Sequence, residues 1–357
     1  MLDFTSSLYL GMRHTADKLP RYGGLTEGKP AALSRPPGEG SVARALARLT
    51  GFESALLGPS TLHLFWDLLG LLLRRRGGAR LCIERGIYPL TSELAQRAAR
   101  SQGQLQVFRH HDADDLERRL AGSAAWPVVL VDGYCPGCGR PAPVRDYLAL
   151  VESYQGLLVI DDTQALGVWG SEPTPWRPFG YGGGGVMRLA GIPESRRERV
   201  IVIASLAKAF GAPIAGLMGA KGIVSWFERQ SWTRLHASPP SATSIAAAGR
   251  ALEMNARVGE PLRSRLSANV AHLRERLSSI GGCVTPGLFP VQSLAGQRVP
   301  RLYRALASEN AQALLQPGHC GGSPRLTLVV TAAHEWTSIE RVASLLERAW
   351  RDVGPGA

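Results

Sequence analysis

The chain has 357 residues, of which 45% are hydrophobic, 7% aromatic and 20% charged, a composition that supports a large buried core and excludes global disorder. No apolar run reaches the ~18–20 residues that span a bilayer; the longest, around Leu68 to Leu73, runs straight into Arg74, Arg75 and Arg76. A formal net charge of +12 favours anionic partners, but the arginine clusters carry no interleaved aromatics, which argues against nucleic acid.

At the start, Met1, Leu2, Asp3 and Phe4 offer no basic segment followed by an apolar one, so no secretory signal is expected and a cytoplasmic location is. Gly23 to Gly40 reads as a Gly/Pro-rich loop, and Ser41 is placed to cap a helix over 42–50. Beyond it, short apolar runs alternate with amphipathic segments. Strands are predicted over 79–83, 104–108, 127–131, 157–160 and 200–204, and helices over 63–74, 90–101, 114–120 and 146–154. Near-continuous β-branched strands separated by helices imply a mostly parallel sheet covered on both faces. Two helices are predicted over 242–257 and 260–280, and the remainder, with a strand at 326–330 and a helix at 338–351, reads as a smaller α+β domain. The expected division is an N-terminal segment over 1–45, a large α/β domain over 46–245, and a connecting helix with a small C-terminal domain over 246–357.

Five cysteines, Cys82, Cys135, Cys138, Cys283 and Cys320, are too few and too scattered for a disulfide framework. Cys135-Pro136-Gly137-Cys138 has the spacing of a metal or redox pair, but no second pair accompanies it and His319-Cys320 lies far along the chain. It reads as a glycine-rich turn carrying two thiols, and no metal is expected.

Three signals carry chemistry. Leu157-Leu158-Val159-Ile160 ends in Asp161 and Asp162, and in an open parallel sheet the C-terminal strand edge faces the ligand crevice; a simple turn cap is the alternative. Val200 to Ala204 runs into Ser205-Leu206-Ala207-Lys208 and then a small-residue stretch with Gly211 and Gly216. A lysine in such apolar surroundings has a depressed pKa and is suited to a Schiff base. The alternative is a snorkelling surface lysine, yet the only other lysines in this arginine-rich chain are Lys18, Lys29 and Lys221. Finally, Ser60 and Thr61 open a helical segment, and hydroxyls with unbonded N–H groups at a helix N-terminus form a phosphate cradle, or else an ordinary N-cap. Together the three point to pyridoxal phosphate (PLP): a lysine for its carbonyl, an acid for its ring nitrogen and a helix end for its phosphate. An Asp–pyridinium pair ~4 Å apart at an effective dielectric of ~20 is worth about 4 kcal/mol, which keeps the ring an electron sink.

At this point the chain resembles the α-oxoamine synthase family of fold-type I PLP-dependent transferases. Asp161-Asp162-Thr163-Gln164-Ala165-Leu166-Gly167-Val168-Trp169-Gly170 resembles the family's D-[DE]-A-H-x-x-G-x-x-G, and Ser205-Leu206-Ala207-Lys208-Ala209-Phe210-Gly211 its lysine motif. Phe4 to Gly11 resembles its F-x-S-N-[DN]-Y-L-G opening, and Arg325-Leu326-Thr327-Leu328 with Thr331 to Glu335 its C-terminal signature. The resemblance implies Lys208 as the Schiff-base lysine, Asp161 as the ring-nitrogen partner, and Ser205 with Ser60 and Thr61 at the phosphate. It implies Tyr88 in place of the family's ring-stacking histidine, Arg325 at the substrate carboxylate, and Ser7 at the position of the opening Asn. Gln164 stands where the family has an acid/base histidine and Pro136 where it has a serine near the cofactor oxygen. The family's N-terminal extension and its glycine-rich stretch find little match before Gly40.

The function implied is a PLP-dependent acyltransferase joining an amino acid-derived carbanion to an acyl thioester, on coenzyme A or a carrier protein, to give an α-aminoketone, with decarboxylation. An aminotransferase of the same fold is the alternative, and Gln164 and Tyr88 would suit it. A degenerate partner subunit is a third reading, against which the presence of both Asp161 and Lys208 stands. A homodimer is expected, with the Gly23–Gly40 loop and the segment Arg234–Pro240 contributing across it; nucleic acid and membrane are not expected as partners.

Overall fold

The computed structural model describes residues 2–352 apart from 23, 25–26, 75–77, 103, 122–124, 282–283 and 318–322, so Cys283, His319 and Cys320 lie outside the described residues. Seven strands build the central sheet: β1 Ser54–Gly58, β2 Ala79–Glu84, β3 Gln104–Phe108, β4 Trp126–Asp132, β5 Leu157–Asp161, β6 Val200–Ser205 and β7 Ala215–Gly219. Their order is β1-β7-β6-β5-β4-β2-β3. The five from β6 to β3 pair in parallel, whereas β7 runs antiparallel to both β6 and β1.

The apolar runs are continuous because both sheet faces are covered. Val129, Val131, Leu158, Ile160 and Val202 enter one core cluster, and Val128, Leu130, Val159, Ile201 and Ile203 the other. Alternation of side chains along a strand, with no solvated face, removes the polar half of the usual pattern. Around the sheet lie α1 Glu39–Thr50, α2 Thr61–Leu73, α3 Pro89–Gln102, α4 Ala113–Leu120, α5 Val144–Ser153 and α6 Lys221–Gln230. The long α7 Ala242–Leu277 leads to a second, antiparallel sheet of β8 Val291–Ala295, β9 Leu314–Gln316 and β10 Arg325–Val329, covered by α8 Val299–Ser308 and α9 Trp336–Asp352. The first residues join this second sheet's end of the molecule: Leu2–Asp3 pairs in parallel with Ala311–Gln312, and the Val329 N–H donates to the Phe4 carbonyl at 2.7 Å. Among the described residues no helix is long and apolar enough to cross a membrane.

Three local readings change. The two helices expected over 242–257 and 260–280 are one, running through Pro261. An interior proline costs about 3 kcal/mol through a lost N–H and a clash with the preceding turn. Here side-chain bonds brace that turn. The Arg263 guanidinium donates to the Gly167 carbonyl at 2.9 Å, to Asn255 Oδ1 at 2.8 Å and to Glu260 Oε1 at 2.7 Å. Asn255 and Glu260 in turn hold the backbone of Gly182. Second, α1 begins at Glu39, after Gly38 with φ +83°, and Ser41 lies inside it, its hydroxyl donating back to the Gly38 carbonyl at 2.8 Å. Third, β1 and β7 were not predicted. Ser-Ala-Leu-Leu-Gly and Ala-Gly-Leu-Met-Gly lack β-branched residues, and their strand state comes from pairing: β1 with β7, Ala215 opposite Gly58 through Gly219 opposite Ser54, and β7 with β6.

Arg263→Met should lower unfolding stability by about 1–3 kcal/mol, the cost of leaving buried acceptors unpaired. Urea denaturation checks this, and a loss below about 0.5 kcal/mol would show that the Gly167–Gly182 loop does not depend on the guanidinium.

Candidate active site

β4, β5 and β6 lie side by side and end together, with Asp132 in register with Asp161. Parallel strands place their carboxyl ends on one edge, and there a cavity of about 360 Å³ opens. It is lined by Ser7, Thr61, Tyr88, Asp132, Pro136, Asp161, Thr163, Gln164, Ser205 and Lys208, among others. Seven of the residues predicted from sequence therefore meet in one cavity: Ser7, Thr61, Tyr88, Asp161, Gln164, Ser205 and Lys208. Two do not line it, Ser60 and Arg325.

Lys208 is half-buried on the turn after β6, and burial pushes its amine below the ordinary lysine range, with the Asp161 charge opposing that shift. Asp161 is buried, which raises its carboxyl; hydrogen bonds from Thr163, among them its N–H at 3.1 Å, and the Lys208 charge act the other way. Asp162, one residue on, is turned into the protein. Its Oδ2 accepts from the Val186 N–H at 3.0 Å, and a Cβ on Gly133 or Gly185 would collide with its oxygens. The adjacent acids thus divide, one facing the cavity and one anchoring the glycine-rich loop.

Ser60 precedes α2 without capping it, because its hydroxyl is paired with His63 Nδ1 at 2.8 Å. The first-turn N–H groups of α2 keep no side-chain acceptor, which suits an anion, and Thr61 presents itself to the cavity. Thr163 Oγ1 accepts the Ser205 N–H at 3.0 Å, and Ser205 Oγ accepts the Ala207 N–H at 3.2 Å, so that the lysine turn is tied to the strand beside it. Tyr88 is largely exposed, with its N–H donating to Asp132 Oδ2 at 2.9 Å. An amine below its ordinary pKa, a buried acid, hydroxyls and an open helix N-terminus in one cavity match what PLP requires at its carbonyl, ring nitrogen and phosphate.

Two participants were missed in the sequence. Asp132 ends β4 as Asp161 ends β5, so the same strand-edge argument would have found it. Burial, then the neighbouring Asp161 and Glu84 charges, raise its carboxyl well above the usual range, and its Oδ1 is buried with no hydrogen-bond partner. Tyr9 lies in the quoted opening motif but carried no assigned role; its hydroxyl donates to Gln164 Oε1 at 2.6 Å. Tyr9 is buried, which keeps its phenol protonated and the amide of Gln164 oriented. Arg325, half-buried at the start of β10, donates to the Gly137 carbonyl, one residue from the Pro136 wall of the cavity.

Two outcomes follow from this geometry. Asp162→Ala should cost about 1–3 kcal/mol of stability in urea unfolding, because it leaves the buried Val186 N–H without an acceptor, whereas Asp161→Asn should fold with undiminished stability. For Lys208 the folded pKa lies below the unfolded one, so the protein pays for its charge at low pH and recovers that stability as pH rises from the folded pKa towards 10.5. Labelling of Lys208 by an amine-directed reagent should therefore begin at lower pH than for a free lysine side chain. Asp161→Asn should move its midpoint lower still, and an unchanged midpoint would separate the two groups.

Comparisons with known proteins bear on the family and the fold. The family model for aminotransferase class I and II matches residues 2–346. An 8-amino-7-oxononanoate synthase of Ralstonia pickettii is 28% identical over 277 residues, 74% of this chain, and the chain spans only 63% of that relative's length. The solved serine palmitoyltransferase of Sphingomonas wittichii superposes with a TM-score of 0.84 at 17% identity, over 99% of this chain and 88% of that one. An 8-amino-7-oxononanoate synthase from Francisella tularensis superposes with a TM-score of 0.78 at 15% identity, over 99% and 98%. At these identities the structures bear on the fold, which is that of fold-type I transferases. The match along nearly the whole chain places this protein in the aminotransferase class I and II family.

Proposed function

We propose that this protein is a PLP-dependent acyltransferase that joins an amino acid to an acyl thioester, releasing CO₂ and a free thiol and leaving an α-aminoketone. The observation that carries this reading is the meeting of Lys208, Asp161, Gln164, Ser205, Thr61 and Tyr88 in one cavity of about 360 Å³. The similarity to 8-amino-7-oxononanoate synthases supports it and weighs against the aminotransferase alternative.

When bound, PLP supplies a carbonyl that takes up an amino group and a ring that stores the electron pair of a carbanion. Thr61, the first turn of α2 and Ser205 would hold its phosphate, Asp161 its ring nitrogen and Tyr88 its face. Lys208 carries the nucleophilic amine, and its depressed pKa leaves more of it neutral at working pH. The same amine moves the proton at the substrate Cα. Gln164, an amide, exchanges no proton; held by Tyr9, it orients what it touches, so acid and base work falls on Lys208. Asp161 favours its neutral form while buried alone, and a cationic partner stabilises its charged form. Ser7 lines the cavity; Arg325 does not, but it bonds the Gly137 carbonyl next to the lining Pro136 and keeps a buried Nε without a partner, and it would take the substrate carboxylate.

The acyl group would arrive on an anionic carrier, coenzyme A or a carrier protein, to which a net charge of +12 is suited. We also propose a cytoplasmic homodimer. Leu62, Trp66, Tyr88, Trp232 and Leu235 are exposed, and Trp66 and Trp232 line one shallow depression, a surface that a second copy would cover.

The test incubates purified protein with single amino acids and acyl thioesters and follows free thiol and CO₂ together. Stoichiometric release of both, lost in Lys208→Ala by more than ~1,000-fold, is the expected result, and borohydride should fix pyridoxyl label on Lys208. Arg325→Ala should lower kcat/KM about 10- to 100-fold, the value of a charged hydrogen-bonded pair. Turnover of a 2-oxo acid to an amino acid with no thiol released would establish transamination instead. Sedimentation of a monomer at active concentrations would remove the dimer.

A further inference from the structure

We propose that Cys135, Cys138, His110 and His111 form a structural zinc site beside the active-site cavity, with Glu84 as the carboxylate that orients His110. Cys135-Pro136-Gly137-Cys138-Gly139 is a tight loop between two short antiparallel strands, Tyr134–Cys135 and Arg140–Pro141. The Cys138 N–H points to Cys135 Sγ at 3.3 Å, and the Gly139 N–H closes the loop on the Cys135 carbonyl at 2.8 Å. Gly139 has φ +71°, a conformation that a side chain would strain. A Cys-x-x-Cys loop with N–H groups on its sulfur supplies half of a tetrahedral zinc site.

The other half comes from the connection after β3. His110 Nε2 lies 3.2 Å from Cys138 Sγ, and His111 Nδ1 lies 4.0 Å from the same sulfur. With Zn–S near 2.3 Å and Zn–N near 2.0 Å, tetrahedral ligands stand about 3.6 Å apart, between these two values. The donor atoms of His110, Cys135 and Cys138 all lie within 4.8 Å of one another. His111 holds φ +53°, unusual for a non-glycine residue, and the two imidazoles stack with centroids 3.8 Å apart. Glu84 Oε2 lies 3.6 Å from His110 Nδ1, while its Oε1 accepts from the Tyr147 hydroxyl at 2.6 Å and the His111 N–H at 2.7 Å. A carboxylate behind a ligating histidine is the usual outer partner of such a metal. His111 Nε2 is buried with no hydrogen-bond partner.

The sequence suggested only a turn with two thiols, because the histidines stand on a different strand connection with no pattern linking them to the cysteines. The site has a consequence for its neighbour: Pro136 lines the cavity and the Gly137 carbonyl receives Arg325. A metal held by Cys135 and Cys138 fixes both from behind.

The experiment measures metal rather than turnover, so it stands apart from the acyltransferase reading. Full-length protein purified without chelator should contain about one zinc per chain by mass spectrometry. Cys138→Ser and His110→Gln should each lower zinc affinity at least tenfold. Co²⁺ added to wild-type protein stripped of zinc should give the intense d–d absorption of tetrahedral thiolate ligation, and zinc should slow alkylation of Cys138 at least tenfold. These last two readouts need no variant to fold. Equal zinc in wild type and in a Cys135→Ser, Cys138→Ser double variant, alkylation unaffected by zinc, or a Cys135–Cys138 disulfide in freshly isolated protein would overturn the proposal.

Discussion

Lys208 and Asp161 face one cavity, and burial pushes each towards its neutral form while the charge of the other pulls it back. Neither alone would suit the proposed chemistry: a fully charged lysine is no nucleophile, and a fully protonated acid holds no cationic ring. The balance requires two groups at the ends of adjacent strands, close enough to feel each other yet making no hydrogen bond that would lock them together. β5 and β6 meet this condition by parallel pairing, Asp161 lying opposite Ile203, a few residues before the lysine turn.

Much of the surrounding structure keeps that edge in place. Asp162 pins the Gly185–Val186 corner, and Arg263 with Asn255 and Glu260 ties the Gly167–Gly182 stretch to α7. The loop that follows Asp161 is therefore bonded at both ends, and α7 continues through Pro261 because the same bonds brace it. A proline that would mark a helix end in an isolated peptide is tolerated within a network of buried polar contacts.

A third layer comes from distant chain segments. The N-terminal residues are stitched beside the second sheet, which brings Ser7 to the cavity and Tyr9 to Gln164. Pro136 also lines the cavity, in a loop whose Gly137 carbonyl receives Arg325 from β10 and whose cysteines lie beside the two histidines. Departures from the family's motif thus sit at joints between segments: Gln164 is a partner of Tyr9, and Pro136 is part of a cysteine-bounded turn.

The sequence by itself determined the α/β class, the parallel strands and most of the residues that meet in the cavity. These follow from local chemistry: β-branched runs with no polar alternation mean strands buried on both faces, and acids or a lysine at their ends fall on the ligand edge. Lys208 and Asp161 were legible for that reason, Ser205 only through the resemblance, and Asp132 could have been by the same rule. Local chemistry did not separate Asp161 from Asp162, which only the resemblance did; the structure shows Asp161 at the cavity and Asp162 turned into the protein, since adjacent residues at a strand end turn opposite ways. Only the tertiary structure decided β1 and β7, whose sequences have no strand preference and which are strands through their pairing with each other and of β7 with β6. It alone brought His110 and His111 against Cys135 and Cys138, because contacts between separate strand connections leave no spacing in the chain to read.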